Sequence, residues 1–136
     1  MIQVIYGVKG SGKSKRLLEC ANDVAKKANG SLVFIDDNTD FIHDVDRKFR
    51  FINATEYCIA GPKVFTGFIC GIAAQDFDLE YIFVDSFQKL VKHSLFELEE
   101  MFKSLDAFTK KRGITLIISI SGEESDLPDY IRKYLI

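Results

Sequence analysis

The sequence predicts a three-layer α/β/α sandwich on a largely parallel sheet of about five strands, and three observations lead there. Short apolar runs alternate along the chain with stretches of helical periodicity. The runs are apolar at consecutive positions, as in Leu32-Val33-Phe34-Ile35 and Tyr81-Ile82-Phe83-Val84, which marks strands covered on both faces. Between the first run and the first helix lies Gly7-Val8-Lys9-Gly10-Ser11-Gly12-Lys13-Ser14, which matches the phosphate-binding pattern G-x-x-x-x-G-K-[ST] at every specified position.

The elements follow in order. Ile2-Gln3-Val4-Ile5-Tyr6 is the first strand, and Leu17, Leu18, Ala21, Val24, Ala25 and Ala28 recur at helical spacing after the glycine turn. Asn29-Gly30 offers a left-handed helix cap. Leu32 to Ile35 is a second strand, followed by the acidic stretch Asp36-Asp37-Asn38-Thr39-Asp40, and Phe41 to Arg47 reads as loop or a short helical turn. Phe49 to Asn53 is a third strand running into Ala54-Thr55-Glu56. Gly61-Pro62 opens a helix whose inner face is Val64, Phe65, Phe68, Ile69, Ile72 and Ala73. Tyr81 to Val84 is a strand delivering Asp85. Ser94-Leu95-Phe96-Glu97 has capping-box spacing for a helix with the stripe Leu98, Met101, Phe102, Leu105 and Phe108, which Gly113 closes. Ile114 to Ser121 is the last strand, and Pro128 to Leu135 a short terminal helix.

With 136 residues, one domain is expected, and residues 1–136 are read as a single P-loop nucleotide-binding unit. Hydrophobic content of 47% with 28% charged residues excludes a disordered chain. A net charge of −2 provides no general attraction for nucleic acid, and the basic groups Lys26-Lys27, Lys110-Lys111-Arg112 and Arg132-Lys133 fall at helix ends, so no nucleic-acid patch is expected. The apolar runs are too short for membrane insertion and the first strand begins at once, so no secretory leader and a cytoplasmic location are expected. Cys20, Cys58 and Cys70 form no metal or disulfide pattern and read as small buried hydrophobes. His43 and His93 read as surface or loop residues. Twelve Phe and five Tyr mostly fill the core, with Phe65, Phe68 and Phe87 as candidates for a face shared with another copy or a protein partner.

The chemistry is expected at the glycine turn. Its backbone N–H groups curl inward and the helix N-terminus adds partial positive charge, so Gly7, Val8, Lys9, Gly10, Ser11, Gly12, Lys13, Ser14 and Lys15 are the expected phosphate-binding residues. Lys13 reaches the outer phosphates, and Ser14 with Asp85 ligates Mg²⁺. The expected ligand is ATP or another nucleoside triphosphate; no N-K-x-D pattern favours guanine. Ser86 follows Asp85 where many hydrolysing relatives of this motif place a glutamate, and a hydroxyl is a poor base. An acid after another strand must then position water, and Asp37 and Glu56 are the candidates, with Asp36 beside them. Ser119 and Ser121 either sense the terminal phosphate or satisfy the turn at Gly122.

The residues Gln3 to Gly7, Ser11-Gly12-Lys13-Ser14, Lys15-Arg16-Leu17-Leu18, Phe51 to Glu56 and Phe83 to Gln88 resemble the RecA-like P-loop group, in a layout similar to bacterial-type thymidine kinases. Ser86 and the absence of zinc-lid cysteines depart from those kinases and argue against their activity. The P-loop, Phe34-Ile35-Asp36-Asp37-Asn38, Arg50 to Glu56, Gly67 to Ile72 and Ile118 to Gly122 also resemble short bacterial ATP-binding proteins that carry the label twitching-motility PilT-like. That resemblance implies nucleotide binding more directly than pili, since true pilus-retraction ATPases are much longer. Three functions stay open on the residues alone: an NTPase with slow Mg²⁺-dependent hydrolysis, a nucleotide-dependent regulatory module without useful turnover, and a small phosphotransferase.

Overall fold

A computed structural model describes all residues, 1–136. Its strands are β1 (Ile2–Gly7), β2 (Ser31–Asp36), β3 (Phe49–Asn53), β4 (Leu79–Val84) and β5 (Thr115–Ser121). They form one sheet in the order β1-β5-β4-β2-β3, and every pairing is parallel. Parallel neighbours need crossover connections: α1 (Lys13–Lys27), α2 (Pro62–Ala74) and the pair α3 (Phe87–Val91) and α4 (Glu99–Arg112) supply three of them, the β2-to-β3 link is a run of turns without a helix, and α5 (Asp129–Arg132) follows the last strand. The order also places β5 between the glycine-turn strand β1 and the Asp85 strand β4.

Alternation along each strand divides the core in two. Phe34, Phe83, Ile5 and Ile117 face α1 and pack with Leu17, Ala21 and Ala25. Val4, Val33, Ile35, Ile82, Val84, Ile118 and Ile120 point the other way, into the larger cluster made with Phe65, Ile69, Phe87, Phe102 and Ile131. Aromatic rings knit each side. Phe83, Phe34 and Phe51 stack in register across β4, β2 and β3, with centroids 6.2 and 5.6 Å apart. Opposite them, Phe87 meets Phe65 and Phe102 edge to face at 5.4 and 6.0 Å. The three-layer expectation therefore holds.

Several local expectations change. Helix α1 ends at Ala28 in extended backbone, with no left-handed cap. Gly30 is needed for another reason: a Cβ there would meet the Asp78 carbonyl oxygen at 2.0 Å. Gly113 is left-handed (φ 69) and caps α4 as expected. Ser94 caps a single 3₁₀ turn, Leu95–Glu97, instead of the long helix, which starts at Glu99. The terminal helix is shorter than expected, and beyond it Tyr134 to Ile136 pair with Val4 along the outer edge of β1. Phe65 and Phe87 are fully buried within the chain and so line no face shared with another copy or partner, while Phe68 is partly exposed. Val64 points to solvent. No cysteine is buried: Cys20 and Cys70 are intermediate and Cys58 is exposed. His43 and His93 are exposed, as expected. No helix is long and apolar enough to cross a membrane.

Candidate functional site

The strand ends bring three polar residues into one row. Ile35 pairs with Val84 and Val84 with Ile118, so the next residues, Asp36, Asp85 and Ser119, stand side by side at the end of β2, just past β4 and two residues before the end of β5. They follow the parity of Phe34, Phe83 and Ile117 and therefore project toward α1, whose first turn meets them. All three are buried, at 1%, 5% and 3% exposure. The Ser14 hydroxyl donates to Asp85 Oδ2 at 2.7 Å, spanning the width of β5 from the glycine turn to β4.

The glycine turn is built as the motif requires. Gly10 and Gly12 adopt φ of 82° and 87°, where a side chain would be strained. Helix α1 then starts on Gly12 with no side-chain cap and no acid in its first turn. The free backbone N–H groups of the helix start and the helix dipole thus converge where only Lys13, Lys15 and Arg16 supply side-chain charge, and all three are cations. That arrangement is unfavourable for a bare helix and favourable for one holding an anion. Lys13 Nζ meanwhile donates to the Val8 carbonyl at 3.0 Å, folding across the loop.

A cavity of about 570 Å³ opens over this turn. Lys9, Gly10, Gly12, Lys13, Ser14 and Lys15 form one wall, and Asp85, Ser86, Gln88, Lys89, Ser119 and Ser121 the other. Its lining contains no hydrophobic residue, so it suits a polyphosphate better than a base. Gly7 and Ser11 line a smaller groove behind the loop beside Tyr6 and Arg16, and Val8 is exposed.

The two acids at the C-terminal end of β2, Asp36 in the strand and Asp37 just past it, behave differently. Burial, with the neighbouring Asp85 charge adding to it, pushes the Asp36 carboxyl up to about 7, against the lowering effect of the Asp37 amide that donates to it at 2.7 Å. Asp36 Oδ2 is buried and makes no hydrogen bond of ordinary geometry. Asp37 is partly buried, which raises its carboxyl; polar contacts with the Asp36 and Ser86 side chains and the charge of Lys89 outweigh that and hold it below the ordinary range. Its Oδ2 lies 3.9 Å from Lys89 Nζ.

The structure thus gathers Lys9, Gly10, Gly12, Lys13, Ser14, Lys15 and Asp85 around one cavity, with Asp37 at its rim through Lys89. It does not bring Glu56 there. Glu56 sits exposed in the 3₁₀ turn Ala54–Tyr57 after β3, the far edge strand, two positions beyond β4. Sequence reasoning missed Gln88 and Lys89 because α3 is only five residues long, little more than one turn, too short for a helical period to repeat. Gln88 binds the backbone of Ser121 through both ends of its amide, accepting from Ser121 N at 3.2 Å and donating to the Ser121 carbonyl. The burial of Asp36 was readable, since it continues the Leu32, Phe34 alternation one step past the strand's apolar run.

A buried acid with an unpartnered oxygen, a serine hydroxyl on a neighbouring carboxylate and an uncapped, cationic helix start all fit a Mg²⁺–polyphosphate pair. Both Ser14 and Asp85 offer hard oxygen donors.

Comparison with known protein families finds none that matches the sequence, and no curated protein matches it. Among solved structures, the chain is similar to the flagellar accessory protein FlaH from Methanocaldococcus jannaschii, with a TM-score of 0.58 at 15% identity. The match covers 97% of this chain and 65% of that one. It supports the fold alone, an α/β/α sandwich on a parallel five-stranded sheet. The likenesses to thymidine kinases and to PilT-like proteins rest on their motif residues alone.

Proposed function

We propose that this chain binds a Mg²⁺–nucleoside triphosphate, ATP or another NTP, and hydrolyses it slowly. The observation that carries the reading is the start of α1: an uncapped, acid-free helix N-terminus on a left-handed glycine, with Ser14 bonded to Asp85. In this reading the amides of Gly10 to Ser14 and the Lys13 ammonium hold the phosphates, replacing the Val8 carbonyl as the Lys13 partner. Ser14 and Asp85 hold the metal, which supplies charge neutralisation on the phosphate oxygens. Asp37, the acid kept ionised beside the cavity, orients water, and Asp36 backs it from within the sheet. Glu56 remains a weaker candidate, because reaching the cavity would require the edge of the sheet to move. A cytoplasmic, reducing setting goes with three free cysteines.

A second reading is a nucleotide-dependent regulatory module without useful turnover, and Ser86 favours it. This residue occupies the position after Asp85 in left-handed backbone (φ 58), turning the chain into α3, so no carboxylate stands there. Phosphate release measured for wild type, Lys13→Ala and Asp37→Asn, with binding followed by calorimetry, separates the two. Hydrolysis requires release that falls in both variants while Asp37→Asn still binds. Tight wild-type binding with no Lys13-dependent release leaves the regulatory reading standing and removes the enzyme.

A further inference from the structure

Four lysines line the phosphate cavity, and three of them, Lys9, Lys13 and Lys15, belong to the glycine turn or the first turn of α1. Lys89 comes from the opposite wall. Its helix is anchored by Phe87, Leu90 and Val91, all buried, and its neighbour Gln88 is tied to the Ser121 backbone. The base of the Lys89 side chain is therefore fixed, while 69% of the side chain is exposed.

What holds the ammonium is weak. At 3.9 Å from Asp37 Oδ2 it is well beyond the roughly 2.7–2.9 Å of a charge-assisted hydrogen bond. With the lysine so exposed, such a pair contributes little to stability. A highly charged phosphate chain entering a cavity with four cations and the single carboxylate Asp85 on its walls competes easily with that pair. In the triphosphate reading the loop holds the phosphate chain from one wall, with its own amides and with Lys13 reaching the outer phosphates. Negative charge added farther from the loop meets the one cation that the loop does not supply.

We propose that Lys89 reads the terminal phosphate. Its ammonium rests against Asp37 in the nucleotide-free protein and moves to the terminal phosphate of a bound triphosphate, leaving the Asp37 carboxylate free to accept a hydrogen bond from water. The inference rests on the triphosphate reading of the glycine turn and adds to it a discrimination between tri- and diphosphate that couples binding to the state of Asp37.

Calorimetry with Mg²⁺ and four probes, the β,γ-imido triphosphates of adenosine and guanosine and the two corresponding diphosphates, tests it on wild type, Lys89→Ala, Lys89→Arg and Asp37→Asn. The melting temperature without nucleotide confirms that each variant folds. Lys89→Ala is expected to weaken triphosphate binding about tenfold or more, the scale of one hydrogen bond to a charged group. Diphosphate binding should change less than about twofold, as for an exposed charge outside contact. Lys89→Arg should restore the preference, and Asp37→Asn, which frees the ammonium, should tighten triphosphate binding. Equal weakening of both ligand classes in Lys89→Ala, or no change in either, overturns the assignment of Lys89 while nucleotide binding stands. A wild-type protein that binds none of the four probes overturns the reading of the glycine turn and this inference together.

Discussion

Asp36 carries the largest electrostatic cost at the site. A carboxyl pushed up to about 7 holds its proton more tightly folded than unfolded, so the folded state loses stability as pH rises from about 4 to about 7 and stays at the lower level above that. Asp36→Asn keeps an oxygen for the Asp37 amide and removes the buried charge. We expect it to stabilise the nucleotide-free protein at pH 8 by about 1–2 kcal/mol and to leave it nearly unchanged at pH 4, both read from denaturant midpoints. Equal stability of variant and wild type at pH 8 would show that Asp36 is not held in a costly state. Ser14→Ala acts in the opposite direction. It strips Asp85 Oδ2 of its hydroxyl donor and should cost about 1–2 kcal/mol in melting experiments, besides reducing the Mg²⁺ dependence of any nucleotide binding.

At the scale of elements, α3 is the piece that converts a strand end into a cavity wall. Left-handed Ser86 and Lys92 bracket its five residues, and the Gln88 amide stands in for a strand by pairing with Ser121. Gln88→Ala should loosen α3 against β5, read as faster amide exchange at Ser121, while global stability falls by no more than about 1 kcal/mol. Gly30→Ala tests the opposite end of the sheet. The collision with the Asp78 carbonyl should destabilise the fold by about 1–3 kcal/mol without changing nucleotide affinity in calorimetry. The sequence displayed some of these elements far better than others. The glycine turn, the row of strands and the Asp85 position were legible because each is written in local residue type and period. Helix α3 was not, since five residues contain no repeat, and its stability comes from Phe87 packing on Phe65 and Phe102. The role of Gly30 was misread because Asn29-Gly30 has the composition of a cap, while the close approach that requires glycine comes from Asp78, far along the chain. The cysteines were misread for a related reason: a general tendency toward burial says nothing about which helix face each one occupies.

At the scale of the whole molecule, strand order decides which acids can act. Nothing in the local sequence says that β5 lies between β1 and β4 or that β3 is the edge, and so Asp37 and Glu56 looked equivalent before the topology was known. The order β1-β5-β4-β2-β3 sets Asp36 and Asp37 beside Asp85 and leaves Glu56 after the edge strand β3, away from the cavity. The fold that keeps this order depends on the cluster beneath α3. Phe87→Ala should cost about 3–5 kcal/mol in equilibrium unfolding and disturb the Lys89 wall with it. The most direct test of the account is titration of the purified chain with Mg²⁺ and nucleoside triphosphate, comparing wild type with Lys13→Ala for heat of association and rise in melting temperature. The account predicts saturable, Mg²⁺-dependent heat with a raised melting temperature in wild type, and loss of both in Lys13→Ala. Neither signal in the wild-type protein at millimolar nucleotide would contradict it.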